Sequence, residues 1–170
     1  MLLRQIPIPL PDLPVEGGGV KKFPLLDIKP KRLKLALKLG TTHVIDNRHQ
    51  DVAARIAGIT GKGVDYVVET TGNSEMHRLA MGVLNPHGVV ALLTGEEGTD
   101  ALPEGRRTLG IIQGDAVPQH FIPKLIKLYL TGKFPFDRLV KFYKFKDINR
   151  AIADSKRGDT IKPVLRMSKA

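Results

Sequence analysis

The sequence predicts an α/β fold built on a largely parallel sheet. From residue 23 onward, short apolar runs typical of buried strands alternate with segments whose apolar residues recur at helical spacing. Regular alternation of this kind is the pattern of βαβ units, in which each helix connects two parallel strands. With 170 residues, of which 42% are hydrophobic and 26% charged, the chain is long enough for one globular domain with its own core.

The first strand–helix–strand unit is predicted at residues 23–46. The apolar run at 23–28 predicts a strand. A helix is expected from Pro30, because the first helical turn tolerates proline, and it ends before Gly40. Residues 43–46 then predict a short second strand.

The same alternation continues to residue 94. Residues 51–59 predict a helix because three apolar side chains share one face, namely Val52, Ile56 and Ile59. The apolar run at 64–70 predicts a buried strand. Asn73 is a favourable N-cap for the next helix, which is expected to end at Asn85 because the following Pro86 disfavours helix. Residues 89–94 predict another buried strand.

A loop separates these units from the C-terminal elements. Glycine, proline and charged residues dominate residues 95–107, which predicts a loop. Beyond it the apolar periodicity predicts, in order, a strand at 109–113, a helix at 118–129, a strand at 139–145, a helix at 147–156 and a strand at 162–167.

Residues 1–22 differ in composition from the rest and are predicted to form an extended arm before a domain at 23–170. They carry four prolines and three consecutive glycines, which resist both helix and central strand. The prolines also interrupt the continuous apolar stretch that a signal peptide requires, and no apolar run approaches the roughly 18 residues of a membrane span. A cytoplasmic location without membrane contact is therefore expected.

Composition excludes several kinds of chemistry. The sequence contains no cysteine, so disulfides, thiolate zinc sites and thiol nucleophiles are excluded. The five histidines show no clustered metal-ligand spacing, so no zinc is expected. The net charge of +10 raises the possibility of a nucleic-acid partner, but the basic residues are scattered over predicted helix surfaces and nucleic-acid binding is not expected.

Several segments in order resemble one enzyme family. They include LLDIKPKRLKLALKLGTTHVI at 25–45, GKGVDYVVETTGN at 61–73 and GKFPFDRLVKFYKF at 132–145. Together they resemble the C-terminal, cofactor-binding domain of zinc-type medium-chain alcohol dehydrogenases, and most nearly the aryl-alcohol (benzyl-alcohol) dehydrogenases. The resemblance implies a Rossmann-like doubly wound parallel sheet that binds NAD, and an oxidoreductase reaction in which hydride passes between an alcohol and the nicotinamide ring.

The resemblance also implies roles for individual residues. Asp27 would bind the adenosine ribose and favour NAD over NADP, with Arg32 beside it. From the residues alone, Asp27 is explained equally well as an acid stabilised by a helix N-terminus. The other implied cofactor-binding residues are Thr70, Thr71 and Gly72 on the adenosine side, Leu93, Thr94, Gly95, Ile112 and Gln113 on the nicotinamide side, and Lys162 at the pyrophosphate. For Lys162, a solvent-facing lysine without a ligand is an equally good interpretation.

The sequence departs from the family pattern at its N-terminal side. The glycine-rich VEGGGV at 15–20 lies too close to Asp27 to leave room for a crossover helix, so the first strand and first crossover helix of the fold are expected to be missing. Loss of the phosphate-binding turn would weaken NAD binding. No position matches a catalytic zinc ligand of the family, so no catalytic residue is assigned.

These departures lead to two functional expectations. The first is a fragment or degenerate paralogue that binds NAD without independent catalysis. The alternative is a non-enzymatic dimerisation module, in which the strand at 109–113 pairs two copies as a homodimer, because an exposed edge strand invites such pairing.

Overall fold

The computed structural model describes residues 2–3, 21–94 and 102–167. The strands are β1 (Leu2–Leu3), β2 (Pro24–Asp27), β3 (His43–Asp46), β4 (Val64–Glu69), β5 (Leu84–Leu92), β6 (Arg107–Gly110), β7 (Val140–Lys144) and β8 (Lys162–Arg166). The α-helices are α1 (Pro30–Lys38), α2 (Val52–Thr60), α3 (Ser74–Gly82), α4 (Pro118–Leu130) and α5 (Ile148–Arg157). The chain divides into two compact units, Met1–Ile122 and Pro123–Ala170.

The first unit is built on a parallel sheet of six strands in the order β3-β2-β1-β4-β5-β6. All its strand pairs are parallel. This is the strand order of doubly wound dinucleotide-binding folds, in which the chain reverses direction beside the first strand. The predicted fold class is therefore confirmed.

One detail of the prediction is corrected. The first strand was expected to be missing, yet β1 occupies the central position, with Leu2 opposite both Leu25 of β2 and Val68 of β4. It is only two residues long. Sequence pattern could not find it, because two apolar residues are too few to display a period. The prediction that the first crossover helix is missing concerns residues 4–20, which include the VEGGGV segment and lie outside the described residues.

Side chains pack on both faces of this sheet. Successive residues of a strand point to opposite faces, and Leu25 and Leu26 accordingly belong to different apolar clusters. Leu25 packs with residues of α1, namely Leu33 and Ala36. Leu26 packs with Val52 and Ile56 of α2 and Ala80 of α3. Helices cover both faces, which explains why β2 is buried along its whole length without alternation.

Two helices of the first unit begin at side-chain caps. Asp51 accepts a hydrogen bond from the Ala54 N–H at 3.0 Å and so begins α2. Asn73 accepts from the N–H groups of Glu75 and Met76 and begins α3, as predicted. These caps satisfy backbone donors that the first helical turn leaves without partners, and they fix where each helix starts.

The structure differs from the predicted boundaries at β5 and β6. Helix α3 ends at Gly82 and β5 already begins at Leu84, so Pro86 lies inside a strand, beside an irregularity in the β4–β5 pairing. The Asn85 side chain bridges the Gly63 N–H and Asp65 Oδ1 and anchors this early start. The strand predicted at 109–113 instead spans Arg107–Gly110.

The second unit contains a parallel pair of strands, β7 and β8, and α5. A buried polar network joins them. The Tyr143 hydroxyl donates to Asp154 Oδ2 at 2.8 Å and lies 2.6 Å from Thr160 Oγ1. Lys141 and Arg157 also contact the Asp154 carboxylate. This network holds the strand pair against α5 within the second unit.

Candidate functional site

A pocket of about 510 Å³ lies at the carboxyl ends of β2, β3 and β4. Carboxyl ends of parallel strands meet at one edge of the sheet, and open α/β sheets bind ligands there. The lining comes from the end of β2, the residue after β3, and the turn from β4 into α3. The lining residues are Leu26, Asp27, Ile28, Asn47, Thr71, Gly72, Asn73, Glu75 and Met76.

Asp27 is the last residue of β2 and is 8% exposed. Its Oδ1 accepts a hydrogen bond from the Lys29 N–H at 2.8 Å. Among the described residues, the partner of Oδ2 is the Arg32 guanidinium at a long 3.5 Å. A carboxylate oxygen accepts more than one hydrogen bond, so Oδ2 retains capacity for a ligand hydroxyl.

Arg32 projects from the first turns of α1 toward Asp27. Its side chain is 14% exposed, and its Nε is buried without a hydrogen-bond partner in the described part of the chain. An orphaned buried donor is costly, commonly about 1–3 kcal/mol, so it marks a place where a bound acceptor would be favourable. The Asp27–Arg32 pair therefore offers an acceptor and donors side by side.

The turn after β4 forms the opposite wall of the pocket. Glu69, the last residue of β4, accepts hydrogen bonds from the Thr71 N–H, the Thr71 hydroxyl and the Gly72 N–H. Gly72 has φ +66°, a backbone conformation that residues other than glycine rarely adopt. The space that a Cβ on Gly72 would occupy lies toward Thr94, whose Oγ1 would be 2.9 Å away.

The turn after β3 supplies Asn47. Its N–H donates to the Asp27 carbonyl at 3.3 Å, and its Nδ2 lies 3.3 Å from Met76 Sδ across the pocket. The preceding Asp46 accepts from His49 Nδ1 and from the Arg48 N–H, and these hydrogen bonds lower the pKa of Asp46. Asn47 therefore links the walls formed by β2 and α3.

The charge of the lining is negative. Among the described residues that line it, Asp27 and Glu75 are the acids, and none is a lysine or an arginine. Carboxylates in such a lining accept hydrogen bonds from hydroxyl donors. In this chain of net charge +10, the pocket has the opposite sign to the molecule as a whole.

The structure brings together only part of the predicted site. Asp27, Thr71 and Gly72 line the pocket, Arg32 contacts Asp27, and Thr70 lies in the same turn. Their roles in binding stay predictions. Sequence reasoning missed Asn47, Glu75 and Met76, although the rule that ligands bind at carboxyl ends of parallel strands points to residues directly after β3 and β4.

The residues predicted on the nicotinamide side lie elsewhere. Leu93 and Thr94 follow β5, and a Cβ on Gly72 would come within 2.9 Å of Thr94 Oγ1, so Thr94 adjoins the pocket turn. Gly95 lies outside the described residues. Ile112 and Gln113, predicted within a strand, instead follow β6, and Gln113 begins a 3-10 turn with φ 56°.

One further predicted site residue, Lys162, lies in the second unit. Lys162 begins β8 and is exposed. Its predicted contact with a pyrophosphate stays a prediction. Tyr143 is 7% exposed and satisfied by Asp154 and Thr160, so its hydroxyl is committed to the network of that unit.

Comparison with known proteins identifies the family. The sequence model of the zinc-binding dehydrogenases matches residues 19–128, well over half of the chain. The chain belongs to the zinc-binding dehydrogenase family. The match covers β2 to β6 of the sheet and the pocket, so the chain corresponds to the cofactor-binding domain of these alcohol dehydrogenase-like proteins, which use NAD or NADP.

Individual relatives agree with this assignment. Geraniol dehydrogenase from Castellaniella defragrans is 34% identical over 157 residues, which are 86% of this chain and 42% of the relative. The crystal structure of benzyl alcohol dehydrogenase from Acinetobacter calcoaceticus has a TM-score of 0.81 and 40% identity over 88% of this chain and 44% of that one. An alcohol dehydrogenase zinc-binding domain protein from Burkholderia ambifaria has a TM-score of 0.81 and 43% identity, over 89% of this chain and 43% of that one. The chain thus spans less than half the length of these relatives.

The side chains of this chain do not fit a zinc site with thiolate ligands, because the sequence has no cysteine. Across residues 2–3, 21–94 and 102–167, no group of three or more His, Cys, Asp or Glu side chains is placed to hold a metal ion. Nor does any helix in those ranges have the length and apolar character needed to cross a bilayer.

Proposed function

We propose that this chain binds the adenosine half of NAD as the cofactor-binding part of an alcohol dehydrogenase-like oxidoreductase. The observation that carries the proposal is the buried Asp27 at the carboxyl end of β2, with Oδ2 weakly engaged and facing a pocket of about 510 Å³. Two vicinal ribose hydroxyls are donors that suit this acceptor. Thr71 and Gly72 would approach the same nucleoside from the opposite wall.

The pocket favours NAD over NADP in this proposal. The charged residues that line it in the described part of the chain are Asp27 and Glu75, both of them acids. A 2′-phosphate carries up to two negative charges and would lie next to carboxylates in a partly desolvated site. Arg32 is paired with Asp27, so its charge is already offset there. The preference for NAD over NADP would therefore be determined by residues of this chain.

The reaction proposed for the complete assembly is hydride transfer between an alcohol and NAD. Similarity to the geraniol and benzyl alcohol dehydrogenases favours an aryl or otherwise unsaturated alcohol as the substrate. We propose that the chain, as a fragment or degenerate paralogue, does not oxidise alcohol by itself, because it supplies no thiolate ligand for zinc. A cytoplasmic location is part of the same proposal.

A fluorescence titration with NADH tests the proposal. We expect saturable binding, weakened by about 10–100-fold in Asp27→Ala, since hydrogen bonds to a charged group contribute about 1.5–3 kcal/mol each. Asp137→Ala is the matched control, because Asp137 is exposed and belongs to the second unit. Equal affinity in Asp27→Ala and the wild-type chain would refute the assignment of Asp27, and no binding at millimolar NADH would refute cofactor binding.

A second candidate function is a homodimer formed through the edge of the sheet. β6 is the last strand in the sheet order, and Leu109 and Ile112 are 51% and 87% exposed. Exposed apolar residues at a sheet edge favour pairing with a second copy. The predicted pairing strand at 109–113 is corrected to Arg107–Gly110, with Ile112 beyond its end.

A further inference from the structure

Glu69 is a buried acid that the proposed binding site does not touch. It ends β4, is 1% exposed and is not among the residues lining the pocket. Its partner in the neighbouring strand is the apolar Leu92, which is 3% exposed. A buried carboxyl group is costly unless hydrogen bonds compensate it, so its partners indicate what it is for.

Among the described residues, the side-chain hydrogen-bond partners of Glu69 lie in the turn that follows it. Oε1 accepts from the Thr71 N–H at 2.6 Å and from the Thr71 hydroxyl at 2.5 Å, and Oε2 accepts from the Gly72 N–H at 3.0 Å. Both carboxyl oxygens are therefore used as acceptors. The two backbone donors belong to residues that face the pocket.

The hydrogen bonds continue from this turn into α3. The Thr71 Oγ1 that donates to Glu69 also accepts from the Asn73 N–H at 3.0 Å. Asn73 in turn caps the N–H groups of Glu75 and Met76 at 2.8 and 3.2 Å. One buried carboxyl group thus begins a chain of hydrogen bonds that reaches five residues of the pocket wall, namely Thr71, Gly72, Asn73, Glu75 and Met76.

We infer that Glu69 is a positioning residue that holds this wall in the conformation in which it accepts the adenosine moiety. The inference rests on the proposed function and adds a residue outside the pocket. Glycine adopts right- and left-handed backbone conformations about equally readily, so the hydrogen bond from the Gly72 N–H to Oε2 helps to select the left-handed one. Without a two-oxygen acceptor at Glu69, the turn loses the contacts that select this conformation.

Substitutions at Glu69 and Thr71 that keep the size of the side chain test the hydrogen bonds of this network separately from its packing. Glutamine keeps the size of glutamate but has one acceptor oxygen, so in Glu69→Gln an NH₂ group faces an N–H donor of the turn. Thr71→Val keeps the shape of threonine and removes the hydroxyl that connects Glu69 to Asn73, whereas Thr71→Ser retains that hydroxyl.

The experiment measures the Kd of ADP-ribose and the hydrogen exchange of the 71–73 amides in the full chain. We expect Glu69→Gln and Thr71→Val each to raise the Kd at least tenfold and to speed exchange at Thr71 and Gly72. Thr71→Ser should rescue most of the affinity lost in Thr71→Val. Ile56→Val is the matched destabilised control, since Ile56 is buried in the same core, and it should lower Tm while leaving the Kd unchanged.

Each outcome decides the inference. Wild-type affinity and unchanged exchange in a folded Glu69→Gln protein would overturn the positioning role while the proposed function stands. A wild-type chain that does not bind ADP-ribose would overturn the proposed function and this inference with it. If Glu69→Gln does not fold, the Thr71→Val and Thr71→Ser pair decides, and equal affinity of those two variants would overturn the inference.

Discussion

Exchanging two glycines for alanine should change stability in opposite directions. Gly72 has φ +66°, and a Cβ there would lie 2.9 Å from Thr94 Oγ1. An alanine in this left-handed conformation costs about 1–2 kcal/mol, and Thr94 is exposed and can rotate away. Gly58 lies inside α2 with open space around the added Cβ, so Gly58→Ala should stabilise the fold by about 0.5–1 kcal/mol. The two variants should therefore differ by about 1.5–3 kcal/mol.

Urea unfolding followed by circular dichroism measures this difference, and thermal unfolding should show about 2–4 °C per kcal/mol for a chain of this size. Gly72→Asn is a useful third variant, because asparagine tolerates the left-handed region and should lose less stability than alanine. If Gly72→Ala were as stable as Gly58→Ala, the left-handed turn at the pocket wall would be refuted.

Three other variants test separate parts of the structure. Hydrogen bonds lower the pKa of Asp154 in the folded chain, and the bond from the Tyr143 hydroxyl has the largest effect. The ionised Asp154 therefore stabilises the fold fully above its unfolded pKa of about 3.9, and this stabilisation is lost as the pH falls through the folded pKa. Asp154→Asn should therefore flatten the dependence of Tm on pH below about 4, and an unchanged profile would contradict this. Ile45→Ala removes a fully buried side chain and should cost about 2–5 kcal/mol in urea unfolding, and a loss below 1 kcal/mol would contradict the packing. Leu109→Lys should shift a dimer to monomer in size-exclusion chromatography with light scattering, and an unshifted dimer would exclude the β6 edge as the interface.

Most of the fold could be predicted because the signals were local. Apolar runs, helical periodicity and a cap such as Asn73 act within a few residues of where they occur, and the structure agrees with them at α2, at β3 and at the start of α3. The boundary errors arose where distant residues decide. β5 begins early because Asn85 hydrogen-bonds residues 20 and 22 positions away.

The sheet edge and the sheet centre were harder to predict for the same reason. β6 is set by its register with β5, in which Arg107 pairs with Val89, rather than by its own apolar residues. β1 is placed between β2 and β4 by pairing alone. Sequence periodicity carries no information about either partner.

The candidate site was predictable only through resemblance. Asp27 alone is equally well explained as a helix-terminal acid, and the neighbouring family motif gave it a ribose-binding role. Asn47, Glu75 and Met76 join the pocket because three strand ends converge in space. Glu69 looked like part of a motif, and its hydrogen bonds to the turn appear only in the folded chain.

The central claim is that the adenosine half of NAD binds between the ends of β2, β3 and β4. Titration of ADP-ribose into ¹⁵N-labelled protein, followed by amide chemical shifts, tests it most directly. We expect the largest shifts at residues 26–28, at Asn47 and at residues 71–73, 75 and 76, which line the pocket. Saturable binding whose shifts fall outside these residues, or no shift at millimolar ligand, would contradict the claim.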